Sequence, residues 1–399
     1  MDFLPDEGLE TFRHEIKAFL RQHLPDDLVG HGLTARSSRP RALRWQAICH
    51  AHGLAAPYWP QEHGGPGWSV AQILVFDEEC VRAGAPRLDV FGHKLLGPVL
   101  NEFGTAAQRE EHLGPMLRGE TLWCQGFSEP GAGSDLASLR TRAVRADDDY
   151  IITGQKIWTS NAHNADRIFV LARTEQSQRK HDGISFLLVD LKSPGVTIRP
   201  IYSIDGCHHL NEVFFDGVRV PDRQRVGREG QGWSITKFLL NNEHATTAQL
   251  PVLQRYVDRI EQLARTQRVG TALLGTRPEF RLRYGQLKAE LLAVRMMVER
   301  VAALDQEHAP FGAVLGSMLK IRSTELQQRF SAFMVEVLGD YGAIAYPGED
   351  SDASHTAALP LQELAHGISS EMFFRRAATI YGGSSEVQRE IIAKRHLGL

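Results

Sequence analysis

The chain has 399 residues, 42 % of them hydrophobic and 23 % charged, with a formal charge of −3; that length favours two or three domains, each with its own core. Near-balanced charge without basic runs excludes a nucleic-acid or anionic-membrane surface, and no apolar run approaches the roughly 18 residues of a membrane span. The acidic start Met1-Asp2-Phe3-Leu4-Pro5-Asp6-Glu7 lacks a secretory pattern, and Cys49, Cys80, Cys124 and Cys207 form no CxxC pair, so the expectation is a cytoplasmic protein with reduced thiols.

The first third is patterned as helices. Leu9, Phe12, Ile16, Phe19 and Leu20 recur at helical spacing with charge between them, and Pro25 ends the run. Residues 53–67, rich in Gly and Pro, form a turn-dense connector, after which helical patterning resumes over 69–83 and 92–119. The period changes after Glu120. Short β-branched and aromatic runs appear at 150–153, 168–172, 184–189, 196–198 and 212–215, with turns at Asp147-Asp148-Asp149 and Ser193-Pro194-Gly195. From Gly232 the helical period returns and persists, interrupted by the polar, acidic stretch 348–357, which is expected to be an exposed loop. The expected division is therefore an α-helical domain over 1–120, a β domain over 121–231 and a second α-helical domain over 232–399. The fold class is α+β.

The stretch 126–138, Gly-Phe-Ser-Glu-Pro-Gly-Ala-Gly-Ser-Asp-Leu-Ala-Ser, admits two readings. Gly131 and Gly133 lack the Cβ atoms that would hold a ligand away and permit positive φ, while Ser128 and Ser134 add hydroxyl donors, which describes a cradle for a planar or anionic cofactor. The other reading is a Pro-Gly turn capped by Ser and Asp. A dinucleotide fingerprint is excluded, because the third glycine is missing and β-like sequence follows where a helix would start.

A second block, Tyr150-Ile151-Ile152-Thr153-Gly154-Gln155-Lys156-Ile157-Trp158-Thr159-Ser160-Asn161-Ala162, follows closely, and then come 211–221, 227–233 and the tail Ile380-Tyr381-Gly382-Gly383-Ser384-Ser385-Glu386-Val387-Gln388-Arg389. Together, and in this order, the five blocks resemble the acyl-CoA dehydrogenase family of flavoproteins. The resemblance implies a helical N-terminal domain, a middle β-barrel or sandwich and a C-terminal four-helix bundle. It also implies FAD as cofactor, an acyl-CoA substrate, an electron-transfer flavoprotein or similar acceptor, and a homo- or hetero-oligomer. By the same resemblance Phe127, Ser128 and Gly133 lie along the flavin, Ser134 meets the thioester substrate, Trp158 covers the ring and Ser160 gives a hydroxyl to its hydride-accepting edge. Ser384 and Glu386, in the tail, belong to the cofactor side.

The chemistry needs a base for the α proton, donors that polarise the thioester carbonyl, and a flavin for the hydride. Many family members carry Glu directly after the Ile-Tyr of the tail, whereas here that position is Gly382, which keeps its amide N–H as a carbonyl donor but offers no base. The family's second carboxylate position, on the first helix after the β domain, is occupied by Glu243. Ile235, Leu239 and Glu243 stand at four-residue spacing, which puts this acid on an apolar stripe and predicts a raised pKa. His244 follows where Arg is usual, leaving the local charge dependent on pH.

Three further departures concern the adenosine half of the flavin: a degenerate Arg265-Thr266-Gln267-Arg268-Val269-Gly270, Arg277 near an expected Gln, and Glu336-Val337-Leu338-Gly339-Asp340 for the usual Gln-x-x-Gly-Gly. An acid beside a pyrophosphate is unfavourable. The pattern suits a hetero-oligomer in which another chain completes the pocket. Cys207-His208-His209 is a weak metal signal, since adjacent residues rarely point at one ion, and no Gly-x-Ser-x-Gly elbow supports a serine hydrolase. A flavin-dependent hydroxylase or oxidase of the same fold, and a non-catalytic subunit beside a catalytic sister chain, stand as alternatives.

Overall fold

In the computed structural model, residues 7–30, 38–241, 248–306, 312–343, 361–365 and 367–399 are described. Helix α1 (Glu7–His23) buries Phe12, Ile16 and Leu20, the apolar face its spacing predicts, and stops before Pro25. Helices α2 (Arg39–Ala51) and α3 (Val70–Ala83) pack with it. A capping box starts α3, with Ser69 Oγ accepting from the Gln72 N–H and the Gln72 side chain accepting from the Ser69 N–H, and Gly84 in a left-handed conformation ends it. The helical patterning over 92–119 corresponds to three pieces: a π-helical turn (Val90–Leu96), α4 (Gly97–Phe103) and α5 (Ala106–Leu117). Thr105 makes the break, because its side chain and that of Gln108 form a second capping box that starts α5 afresh.

The β region contains β1 (Trp123–Gly126), β2 (Arg142–Ala146), β3 (Asp149–Lys156), β4 (Arg167–Arg173), β5 (Ile184–Asp190), β6 (Val196–Tyr202), β7 (His208–Pro221) and β8 (Arg225–Val226). Strands β6-β7-β3-β2 form one antiparallel run and β4-β5-β8 another, the two joined where Arg142 of β2 meets Arg173 of β4. Strand β1 pairs in parallel with β4. The two runs close on a core of Ile152, Val213, Phe215 and Val218 against Ile168, Val170, Leu187 and Val189. The opposite face of β4 and β5, with Phe169, Leu171, Phe186 and Leu188, packs on Leu96, Leu100, Met116 and on Ile235 and Leu239 of α6 (Gly232–Asn241). Both faces of these strands are thus covered, which is why they read as continuous apolar runs. Strands β3 to β7 contain the five expected runs. Strands β1, β2 and β8 lack that signal: β2 is Arg-Ala-Val-Arg-Ala with three exposed or half-exposed polar or small positions, and β8 has two residues.

Beyond α6 come α7 (Leu250–Thr266), a hairpin of β9 (Arg268–Val269) and β10 (Ala272–Leu273), α8 (Pro278–Gln306), α9 (Gly312–Leu338), the short α10 (Gln362–Ala365), α11 (Ile368–Arg375) and α12 (Ser385–Ile392). Tyr256, Ile260 and Leu263 of α7, Val294 and Val298 of α8, Leu326 and Phe330 of α9 and Ile368 of α11 share one core. Among the described residues no helix is long and apolar enough to cross a membrane. The stretch 348–357 lies outside the described residues, as do Glu243 and His244.

Candidate active site

The stretch after β1 is a tight turn in which Glu129 and Ala132 exchange both backbone hydrogen bonds. Neither Gly131 nor Gly133 has a positive φ, so conformational freedom is not what these glycines supply. Both are exposed, and a Cβ added at either would meet nothing within 4 Å. The Phe127 ring points inward, edge-on to Phe169 and Phe186 at centroid distances of 5.6 and 6.3 Å. Ser128 accepts the Ile157 N–H at 2.9 Å through its carbonyl, tying the turn to the end of β3.

A buried ion pair lies beneath. Lys156 is fully buried, and its Nζ donates to Glu129 Oε1 at 2.8 Å and to the Phe127 carbonyl at 3.1 Å. The Glu129 carboxylate also accepts the Arg140 N–H at 2.6 Å and the Thr141 N–H at 2.9 Å. Burial pushes the Lys156 ammonium down to about 8 despite the carboxylate beside it. Burial opposes the Glu129 charge too, yet the Lys156 charge and the two N–H donors together leave its carboxyl below the ordinary range. Neither residue is singled out by the sequence reading. The available signal is the period of β3, since Tyr150, Ile152 and Lys156 fall on one alternating set and a lysine on an inward face demands a partner.

At the end of β3 the chain turns through Trp158, whose φ of 60° is a left-handed conformation that a bulky aromatic adopts only under constraint. The constraint is visible: Thr159 donates its N–H to the Asn211 carbonyl at 2.9 Å, Asn211 Nδ2 donates back to the Thr159 carbonyl at 3.0 Å, and Asn161 donates to the His209 carbonyl at 2.8 Å. The result leaves the Trp158 indole 56 % exposed. Ser134 is exposed and Ser128 and Ser160 are half-buried, while Thr159 Oγ1 is buried with no partner among the described residues. A flat apolar face held out by strained backbone, with the buried Thr159 hydroxyl lacking a partner among the described residues next to it, suits a planar aromatic group with polar edges.

The tail reaches this region through a chain of rings. His209 of β7 packs edge-on to Phe374 at 5.3 Å, and Phe374 lies 6.2 Å from Tyr381. Gly382, next to Tyr381, has φ +66° and open space where a Cβ would stand. Ser384 is the N-cap of α12, its Oγ accepting the Val387 N–H at 3.3 Å, and Glu386 is exposed in the first turn, its carboxyl held low by its own backbone N–H and by Ser384. Cys207, His208 and His209 diverge: Cys207 Sγ faces Ser370 at 3.7 Å, His208 stacks on His163 at 3.9 Å and His209 turns to Phe374. Ile235 and Leu239, the first two members of the stripe leading to Glu243, are buried. The chain is described again from Ala248, and Gln249 is fixed there by the buried Arg375, whose guanidinium also holds Glu371, Tyr256 and Gln327.

Of the residues flagged toward the adenosine half, Arg265 pairs with Glu261, Arg277 with Glu279, and Glu336 with Arg283. Gly270 is the tip of the β9–β10 hairpin at φ +63°.

The family model described as acyl-CoA dehydrogenase, N-terminal domain, matches residues 6–120; the middle-domain model matches 124–218 and the C-terminal-domain model 230–397. Acyl-CoA dehydrogenase IpdE1 of Mycobacterium tuberculosis is 39 % identical over 404 residues, covering 98 % of both chains. Among solved structures, the Tcur3481-Tcur3483 steroid ACAD superposes with a TM-score of 0.86 at 29 % identity, covering 100 % of this chain and 99 % of that one. The ChsE4-ChsE5 complex of Mycobacterium tuberculosis follows the same course with a TM-score of 0.81 at 28 % identity, again over 100 % of this chain and 99 % of that one.

Proposed function

The chain belongs to the acyl-CoA dehydrogenase family and is an oxidoreductase of that activity, and from this premise we propose that it binds FAD and uses Glu243 as the base that takes the α proton of an acyl-CoA thioester. The single observation that carries the cofactor assignment is the constrained, exposed Trp158, flanked in the chain by Ser160 and by Ile157, whose N–H is held by the Ser128 carbonyl. When bound there, FAD supplies the acceptor for the β hydride. Trp158 shields the reacting face from water, and Ser160 offers a neutral donor to the edge where negative charge arrives. Ser134 faces the thioester side, and the turn 127–133 offers backbone to the flavin while the Lys156–Glu129 pair keeps it rigid.

The carbonyl donor is the Gly382 N–H, which takes part in no hydrogen bond among the described residues and stands at a glycine with space around it. Gly382 brings no carboxylate, so the base must come from elsewhere, and Glu243 is four residues beyond the buried Leu239. Glu243→Gln tests this: the variant should retain FAD and fail to bleach it with acyl-CoA. Bleaching at the normal rate would remove Glu243 as the base. We place the domain divisions at 1–120, 121–231 and 232–399, with an electron-transfer flavoprotein or similar carrier as acceptor. The steroid label of one structural neighbour, together with a base on the helix after the β domain, favours a bulky acyl group over a short straight chain; flavin bleaching across aliphatic, branched, aromatic and steroid-derived acyl-CoAs decides it.

A hetero-oligomer is the second part of the reading. The acidic Glu336–Asp340 turn and the degenerate 265–270 motif give a poor adenosine site, and two of the structural neighbours are named as pairs of chains. Singly expressed protein should then hold FAD substoichiometrically; one tightly held FAD per chain would count against a required partner.

A further inference from the structure

The one charge within residues 313–321 of α9 is Lys320, and the helix buries it to 4 % exposure. Its Nζ donates to the Ala378 carbonyl at 2.8 Å and to the Tyr381 carbonyl at 2.9 Å, with the Tyr381 ring 5.8 Å away. Among the described residues no carboxylate pairs with it. A buried ammonium without a counter-ion is costly, and among the described residues two carbonyl dipoles and the face of the Tyr381 ring are what offset that cost. Burial accordingly pushes its pKa down to about 8.

The Tyr381 carbonyl and the Gly382 N–H are two ends of one peptide group. A cation bound to the oxygen draws electron density from the nitrogen and makes the N–H a stronger donor, because the peptide is a conjugated unit and hydrogen bonds in a chain polarise one another. We propose that Lys320 is a positioning residue for the reaction: by clamping the Tyr381 carbonyl it orients the Tyr381–Gly382 peptide and strengthens the Gly382 N–H as the donor to the substrate's thioester carbonyl. This rests on the assignment of Gly382 as that donor. The second bond, to Ala378, fixes the preceding turn, so the ammonium sets both the direction and the strength of one N–H from a rigid helix.

Gln328, two turns along α9, separates polarisation from mere support. Its Nε2 holds the Arg375 carbonyl at 3.1 Å, the Arg376 carbonyl at 3.2 Å and Thr379 Oγ1 at 3.2 Å, so it braces the same turn without charge and without touching Tyr381.

The experiment uses FAD-loaded protein, in complex with its partner chain if one is needed. The flavin is reduced by dithionite so that no hydride can be accepted. The panel acyl-CoA with the highest kcat/KM is labelled with carbon-13 at the thioester carbonyl, and its stretch is read by isotope-edited infrared difference spectroscopy. In wild-type protein the bound stretch should lie below its solution value. In Lys320→Met it should return most of the way, with kcat reduced about tenfold to hundredfold, short of the roughly 10²–10³ of losing a donor outright, and KM nearly unchanged. Lys320→Gln, which keeps a neutral donor, should do the same and serves if the Met variant does not fold. Gln328→Ala should lose thermal stability while keeping the lowered stretch. A wild-type stretch equal to the solution value would overturn Gly382 as the donor. A lowered wild-type stretch kept in both Lys320 variants, or lost equally in Gln328→Ala, would overturn the role of Lys320 alone.

Discussion

Removing the Lys156 ammonium should damage the protein more than removing the charge of its partner. In Lys156→Met, Glu129 keeps the Arg140 and Thr141 N–H donors but loses the only cation among the described residues within hydrogen-bonding reach, inside a site where the lysine itself is fully buried. Breaking a buried pair from one side costs about 3–5 kcal/mol, because an uncompensated charge stays behind. In Glu129→Gln the charge left behind is a lysine that burial pushes down to about 8 even with the carboxylate beside it; without the carboxylate it falls further and sheds its proton near neutrality, a loss of about 1.4 kcal/mol for each unit between 8 and the working pH. The carboxylate has no such escape, since two N–H donors stabilise its ionised form. The double variant leaves no buried charge and should be more stable than Lys156→Met alone. Guanidinium unfolding followed by circular dichroism measures all three. On the proposed cofactor site, FAD content reports whether the turn 127–133 has kept its shape. A Lys156→Met loss below about 1 kcal/mol, or a Glu129→Gln loss larger than it, would refute the reasoning.

Gly97→Ala places a Cβ 2.2 Å from Nε1 of Trp59, a buried ring that donates to the His93 carbonyl at 2.6 Å, and overpacking of this kind should cost about 1–3 kcal/mol in thermal or denaturant unfolding. An unchanged midpoint would mean that Trp59 has room to move. Burial pushes His93 down to about 4, so between pH 6.5 and 4 the unfolded chain takes up a proton that the folded one refuses and stability is lost as pH falls. The stability difference between His93→Gln and wild type should therefore move in favour of the variant by about 3 kcal/mol across that window, and a pH-independent difference in unfolding free energy would refute it.

The order of elements was legible because each class of segment buries one kind of face. Helix α1 shows its apolar stripe and β3 to β7 show runs of branched and aromatic residues. Strand β1 was not legible, because it contributes Trp-Cys-Gln-Gly and is held by parallel pairing to β4, a partner more than forty residues away. Likewise the division of 92–119 turns on two side-chain bonds at Thr105 and Gln108, which no hydrophobic period reports. At the candidate site, Trp158 and the serines stand out in the sequence through the resemblance; Trp158 and Ser134 are exposed, and Ser128 and Ser160 half-buried. What the sequence did not indicate is the support beneath them. Asn211, Lys156 and Lys320 act through backbone carbonyls, and a carbonyl carries no residue-type signature.

Two lysines on different domains solve the same physical problem. A turn built from glycines and small residues has little side-chain packing to hold it, and its inward carbonyls need donors that water cannot supply once the site is closed. An ammonium at the end of a long stem offers three donors and can be anchored in a rigid strand or helix some distance away. Lys156 reaches the Phe127 carbonyl from β3, and Lys320 reaches the Ala378 and Tyr381 carbonyls from α9; burial pushes both down to about 8. They differ in one respect. Lys156 is neutralised by Glu129, so its field at the proposed flavin side is largely cancelled and its part is mechanical. Lys320 has no such partner among the described residues, so its field is spent on the peptide that carries Gly382. A turn that needed only to be held would have been served by a neutral donor, as Gln328 serves Arg375 and Arg376 next to it, without the cost of burying a charge.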